Sequence, residues 1–193
     1  MKKIILGSGS PRRRELLGGL DLPFTVDTGN TFEESLEPGT EAHLVPVHMS
    51  VGKSHGFHRA LSPDEVLVTA DTVVIRTDAS DSRVVLGKPH SREEAVEMLK
   101  ALSGRTHEVV TAVTIRDSVR EETFTDSTLV TFDELSEEDI NYYIDRYKPF
   151  DKAGAYGIQE WIGYAAISGI EGSFYNVMGF PVHKVYRELK KFI

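Results

Sequence analysis

The chain has 193 residues, 40% of them hydrophobic, with no cysteine and a formal net charge of −8. That length and apolar content suit one domain with a proper core and set aside the disordered and fibrous classes. The missing thiols exclude disulfides, thiolate metal sites and cysteine nucleophiles, and the acidic balance argues against the broad basic face that nucleic-acid binding needs.

In chain order, Lys3 to Leu6 reads as a short buried strand that Gly7-Ser8-Gly9-Ser10 breaks. Ser10 has the chemistry of an N-cap and Pro11 suits the first helical position, so a helix is expected to about Leu20. Phe24 to Val26 is a candidate strand. Ala42 to Ala60 has the length of a helix but contains Pro46, Gly52 and Gly56. A mid-helix proline costs about 3 kcal/mol and each glycine about 1 kcal/mol, which predicts a kinked or broken helix. Val66 to Ile75 is apolar and β-branched, a central strand despite Asp71. Ser91 and Glu94 have capping-box spacing, and the helix they open carries Ala95, Met98, Leu99 and Leu102 on one face and ends at Gly104. Glu108 to Arg116 and Glu122 to Phe132 alternate as strands around a turn at Asp117-Ser118. Ser136 caps a helix with Ile140, Tyr143, Ile144 and Tyr147 on one side, and a last helix is expected from about Pro181 to Phe192. Strands mixed with helices indicate an α/β class. No apolar run approaches the ~18 residues needed to span a bilayer, and Met-Lys-Lys-Ile-Ile-Leu is too short for a signal peptide, so a soluble, cytoplasmic protein is expected.

Chemistry concentrates in three places. Leu6-Gly-Ser-Gly-Ser-Pro-Arg-Arg-Arg14 joins a strand to a helix start through a glycine-rich turn, a generic anion cradle. Cations normally avoid the positive end of a helix dipole, at roughly 0.3–1 kcal/mol each, so Arg12, Arg13 and Arg14 there point either to a bound polyanion or to a solvated basic patch. The spacing is neither a P-loop nor a dinucleotide fingerprint. Asp71, inside an apolar strand, needs a partner: a divalent cation or a lysine in a site, or a structural salt bridge. Glu33-Glu34 offers further oxygen ligands or an exposed acidic loop, and carboxylates with phosphate oxygens suit Mg2+ or Mn2+. Lys53, Lys88 in Gly87-Lys-Pro89, and Gln159 at the end of Asp151-Lys-Ala-Gly-Ala-Tyr-Gly-Ile-Gln159 form the third group. Lysine is a point charge for phosphate, and a glutamine amide can read a base edge. The seven histidines show no zinc spacing, no Gly-x-Ser-x-Gly elbow occurs, and the aromatic residues read as core rather than as a platform for stacked bases.

Taken together, these residues resemble the Maf family of septum formation inhibitor-like nucleotide pyrophosphatases. The resemblance rests on Ser8-Gly-Ser-Pro-Arg-Arg13, Ala70-Asp-Thr72, Gly87-Lys-Pro89, Leu102-Ser-Gly-Arg-Thr-His107, Asp151 to Gln159, Gly172-Ser-Phe-Tyr-Asn176 and Gly179-Phe-Pro181, and spans nearly the whole chain. It implies one domain over residues 1–193, with an elongated α/β fold like that of inosine triphosphate pyrophosphatases. The mixed sheet would have two lobes flanking a cleft. It also implies a divalent cation, Mg2+ or Mn2+, and a homodimer, while charge and hydropathy set aside nucleic acid and membrane as partners. The family's catalytic groups fall on Asp71, Lys53 and Lys88, its substrate-binding groups on Ser8, Arg12, Arg13, Thr72 and Gln159, and its metal ligands on Glu33 and Asp71. Arg12, Thr72 and Gln159 match the branch that hydrolyses dTTP and UTP to the monophosphate and pyrophosphate, by metal-assisted attack of water on the α-phosphorus. The alternatives are a pyrophosphatase for 7-methyl-GTP or inosine-type nucleotides and a nucleotide-binding regulator of septum formation. One departure stands out. Where the family has Leu-Ala-x-x-Lys-Ala, this chain has Met49-Ser-Val-Gly-Lys-Ser54, which predicts weakened support for Lys53.

Overall fold

The computed structural model describes residues 2–35 and 39–193. Seven strands join in the order β2-β1-β3-β5-β6-β7, with β4 on β3. The strands are β1 (Lys3–Leu6), β2 (Phe24–Val26), β3 (Glu65–Thr77), β4 (Arg83–Leu86), β5 (Thr106–Arg116), β6 (Glu121–Phe132) and β7 (Ile167–Glu171). The helices are α1 (Pro11–Gly18), α2 (Val45–His55), α3 (Arg92–Leu102), α4 (Glu137–Tyr147), α5 (Trp161–Ala165), α6 (Phe174–Val177) and α7 (Val182–Leu189). The sheet is mixed: β1 runs parallel to both β2 and β3, while β4 lies antiparallel to β3 and β7 antiparallel to β6. Among the described residues, no helix is long and apolar enough to cross a membrane.

The chain folds into two compact units. One comprises Met1–Asp71, Thr111–Asp126 and Gly179–Ile193; the other comprises Thr72–Val110 and Ser127–Met178. In the first unit β1 is flanked by parallel strands on both edges, so Ile4, Ile5 and Leu6 are all buried and the strand reads as an apolar run rather than an alternation. Ile5 and Leu67 form a core cluster with Phe57 and Leu61. The chain leaves β1 through Gly7, where a Cβ would stand 2.9 Å from Thr69 Cγ2. Helix α1 starts as its sequence predicts, with Ser10 as N-cap and Pro11 in the first turn, but ends at Gly18, two residues short of expectation, where the backbone tightens into a turn.

The 42–60 stretch is not one helix: α2 covers only Val45–His55, with Gly56 as its C-cap, but it has no break at Pro46 or Gly52. A single 3-10 turn at Ala42–Leu44 leads into it, which puts Pro46 in the first turn, where its missing N–H belongs to an unpaired set in any case. Gly52 lies inside the helix because a Cβ there would come within 2.3 Å of the Phe32 ring. The glycine that lowers helix propensity is the one that lets a neighbouring segment dock.

In the second unit α3 packs on α4, and each presents the apolar face its periodicity predicts. Tyr147 is only partly covered and stacks on Tyr143. The Ser91 capping box is only half made. Ser91 Oγ accepts from Glu94 N at 3.1 Å, but the Glu94 carboxylate turns to His90 N at 2.7 Å. The complete box is at Ser136, whose partner is Asp139. Strands β4 and β7 and helices α5 and α6 are additions to the elements read from the sequence. The aromatic residues are not all core: Tyr164 is 87% exposed, and Tyr142, Tyr175 and Phe174 are exposed as well.

Candidate active site

The first unit gathers the basic turn and the acidic strand. Ser8 Oγ accepts from Ser10 N at 3.3 Å and from Arg13 Nη1 at 3.4 Å, and Ser10 Oγ caps Arg13 N at 3.4 Å. Arg13 Nε donates to Gly179 O at 2.9 Å, which joins the Ser8–Arg13 and Gly179-Phe-Pro motifs. Desolvation pulls the pKa of the Arg13 guanidinium down; the Asp71 carboxylate pulls it back up, Arg12 pushes it down further and Glu34 raises it. Asp71 therefore acts electrostatically on the arginine turn. Guanidinium remains charged throughout the range in which proteins are folded.

Lys53 meets two carboxylates. Its Nζ lies 2.7 Å from Asp71 Oδ1 and 2.8 Å from Glu34 Oε1. The lysine and aspartate side chains are 20% and 18% exposed, so the pair is partly desolvated yet open on one side. Glu33, the expected acidic partner, is exposed, and it is its neighbour Glu34 that reaches Lys53. The reason lies in how residues 30–34 dock on α2. Asn30 Nδ2 donates to Lys53 O at 2.6 Å, Thr31 N donates to Gly56 O at 2.8 Å, and the Phe32 ring occupies the space over Gly52. These contacts also satisfy carbonyls that a helix end leaves unpaired.

The departure at Met49–Ser54 has its own supports. Ser50 and Ser54 are fully buried. Ser50 Oγ lies 3.0 Å from Thr114 Oγ1, and Ser50 O accepts from Thr69 Oγ1 at 2.8 Å. Arg116 Nε donates to Ser54 Oγ at 3.0 Å and its Nη2 to Ser54 O at 2.6 Å. The turn of α2 that carries Lys53 is thus fixed by polar contacts on both sides of the lysine, where weak support was expected.

In the second unit, Thr72 follows Asp71 in β3. Lys88 is exposed on the loop after β4, which Gly154 N anchors by donating to Gly87 O at 3.0 Å. Gln159 is partly covered, and its Oε1 is buried with no hydrogen-bond partner among the described residues. A buried acceptor left open costs free energy unless a ligand or a water donates to it.

Among the described residues, no group of three His, Cys, Asp or Glu side chains is gathered to hold a metal ion. The carboxylates of Asp71, Glu33 and Glu34 are hard oxygen donors suited to Mg2+ or Mn2+, and an ion there would complete its shell with phosphate oxygens and water, as these ions commonly do. The sequence offered Glu34 only beside the preferred Glu33, and did not single out Asn30 or Arg116. Their roles depend on docking between segments and carry no local signal.

The family model described as "Maf-like protein" matches residues 3–192. A protein of Porphyromonas gingivalis named dTTP/UTP pyrophosphatase is 51% identical over 192 residues, covering 98% of this chain and 94% of that one. A protein of the same name from Parabacteroides distasonis is 47% identical over 190 residues, covering 98% and 96%. Among solved structures, the Ham1 protein of Staphylococcus aureus aligns with a TM-score of 0.47 and 13% identity over 68% of this chain and 72% of that one.

Proposed function

The chain belongs to the Maf family, and from that membership we propose that it is a nucleoside triphosphate pyrophosphatase that hydrolyses dTTP and UTP to the monophosphate and pyrophosphate. The observation that carries the proposal is the pairing of Asp71 with Lys53 at 2.7 Å, close enough to the Ser8–Arg13 turn for Asp71 to act on Arg13. A carboxylate beside a phosphate-binding turn can accept the proton of a water that attacks a phosphorus.

In this reading the triphosphate lies over the Ser8–Arg13 turn. Arg12, Arg13 and Lys53 neutralise its charge and that of the departing pyrophosphate, a task the family resemblance also assigns to Lys88. Asp71 takes the proton from the water that attacks the α-phosphorus. Lys53 holds Asp71 until phosphate oxygens compete for its ammonium, which leaves the carboxylate free to accept that proton. A divalent ion, when held by Asp71 and Glu33, would supply charge compensation for the phosphates. Glu34 is the second acidic candidate, through its contact with Lys53. Gln159 Oε1, an acceptor without a donor, suits the N3–H that uracil and thymine carry and cytosine lacks. Arg12 and Thr72 complete the pyrimidine selectivity that the family resemblance implies.

A panel of nucleoside triphosphates with Mg2+ or Mn2+, assayed separately for pyrophosphate and orthophosphate, tests the proposal. Pyrophosphate release from dTTP and UTP ahead of CTP and the purine nucleotides is expected. Tight binding without hydrolysis, or orthophosphate as the first product, would overturn it.

A further inference from the structure

Gln159 does not sit on a regular element. It belongs to the turn Gly157-Ile-Gln-Glu160, closed by Glu160 N donating to Gly157 O at 3.0 Å. Tyr143, fully buried on α4, touches both ends of this turn. Its Oη accepts from Gly157 N at 2.9 Å and donates to Glu160 Oε2. Glu160 Oε1 in turn lies 3.1 Å from Lys152 Nζ, which also contacts Asp151 Oδ1 at 2.8 Å. The lysine side chain is 9% exposed and that of Glu160 19%.

The surroundings leave this turn little latitude. A Cβ on Gly157 would stand 2.9 Å from Lys152 Cε, and one on Gly163 would fall 1.7 Å from Ile158 O. Backbone behind the turn and a lysine stem in front of it hold the two residues that precede Gln159.

We propose that Tyr143 is a positioning residue for base selectivity, whose hydroxyl fixes the turn so that Gln159 Oε1 faces the edge of the pyrimidine. The inference rests on the assignment of Gln159 as the base reader. Filling space does not explain the hydroxyl. The ring already stacks on Tyr147 at a centroid distance of 5.2 Å, and phenylalanine would fill the same volume. A buried polar network is a costly way to build a core, since each member needs every partner in place. Burial and then the Glu160 carboxylate push the Tyr143 phenol pKa up, so the group stays a proton donor and the direction of its hydrogen bond to Glu160 is settled. One hydroxyl thus grips the first and last residues of the turn; of the two side chains between them Ile158 is buried, which leaves Gln159 as the one to meet the ligand.

The test compares wild type, Tyr143→Phe, Gln159→Ala and the double variant, with kcat and KM measured for UTP and CTP. Tyr143→Phe should raise KM for UTP and lower the UTP-over-CTP ratio of kcat/KM by on the order of tenfold, the effect of one lost hydrogen bond of ordinary strength. Its kcat at saturation should stay within about twofold, because the phosphate-binding turn and Asp71 are untouched. The double variant should discriminate no worse than Gln159→Ala alone, because both changes remove one function. A general loss of stability would not change the substrate ratio. Glu160→Gln, which keeps an acceptor for the phenol but weakens the lysine contact, should shift the ratio in the same direction and gives a second route if Tyr143→Phe folds poorly. An unchanged ratio in Tyr143→Phe and Glu160→Gln, beside a collapsed ratio in Gln159→Ala, overturns the inference and leaves the pyrophosphatase proposal standing. An unchanged ratio in Gln159→Ala removes the base reader and the inference with it. Absence of UTP hydrolysis in the wild type is the separate failure of the proposed function.

Discussion

Lys53 Nζ lies 2.7 Å from Asp71 Oδ1, so the proposed base and the proposed phosphate ligand hold each other. The pair joins the C-terminal half of α2 to the middle of β3, and Glu34 joins it at 2.8 Å from the same ammonium. Asp71→Asn keeps the shape of the side chain and leaves Lys53 its second carboxylate. Turnover should fall by roughly 10²–10⁴, the usual worth of general-base help, with only a small change in the melting temperature. Pyrophosphate release measured beside a thermal melt checks both, and a variant with wild-type turnover would remove Asp71 from the mechanism.

Gly52→Ala should run against the ordinary trend. In a free helix interior this change stabilises by roughly 0.5–1 kcal/mol. Here the new methyl would meet the Phe32 ring at 2.3 Å, and overpacking of this kind typically costs about 1–3 kcal/mol. Displacement of Phe32 would also draw Glu34 away from Lys53. Urea unfolding reads the sign directly, and adding Phe32→Ala should recover part of the loss. A Gly52→Ala protein more stable than wild type would show that Phe32 does not rest on α2.

Arg13→Lys keeps the charge but loses the planar fork. An ammonium cannot reproduce both the Nε contact to Gly179 O and the Nη1 contact to Ser8 Oγ. A hydrogen bond involving a charged group is worth about 1.5–3 kcal/mol, so kcat/KM should fall by roughly ten- to a hundredfold. Initial rates over a range of UTP concentrations give this ratio, and an unaltered value would place the substrate elsewhere.

His107 makes stability depend on pH. Burial lowers its pKa from 6.5 to about 4, and its Nε2 lies 2.7 Å from Tyr156 Oη. Between those two values the unfolded chain binds the proton that the folded protein refuses, so stability rises with pH across this interval. The contribution is fully present above about 6.5 and disappears as pH falls toward 4, an amount on the order of 3 kcal/mol. Melting temperatures from pH 7 to 4 should fall less steeply in His107→Gln than in wild type. Parallel curves would mean that His107 does not contribute this term.

Elements with a local cause could be read in advance. Ser10-Pro11 announces α1, Ser136 announces α4, and the β-branched run around Val68 announces β3, because capping and apolar periodicity act within a few residues. Strands β4 and β7 escaped because they span four and five residues and draw their stability from pairing with β3 and β6. The 42–60 stretch is interrupted as expected, but not at Pro46, because the cost of a proline depends on where the helix begins and that is decided by the 3-10 turn before it. The site divides in the same way. Asp71 and Arg13 stand in recognisable motifs, and Lys53 keeps its position in one that departs from the family pattern. Glu34 reaches Lys53 through the docking of Phe32, and Tyr143 looked like one more apolar-face residue because its hydroxyl partners lie 14 and 17 positions away.

The chain passes from one compact unit to the other after residues 71, 110, 126 and 178. No contiguous stretch encodes either unit, so no truncation yields half of the protein in working order, and a nick inside β3, β5 or β6 damages both halves at once. Parallel pairing of β1 with β3 also joins residues about sixty positions apart. Non-local parallel pairing of this kind favours slow folding, because loop-closure entropy is lost before the contacts form. Residues up to Gly179 must also be synthesised before its carbonyl can receive Arg13.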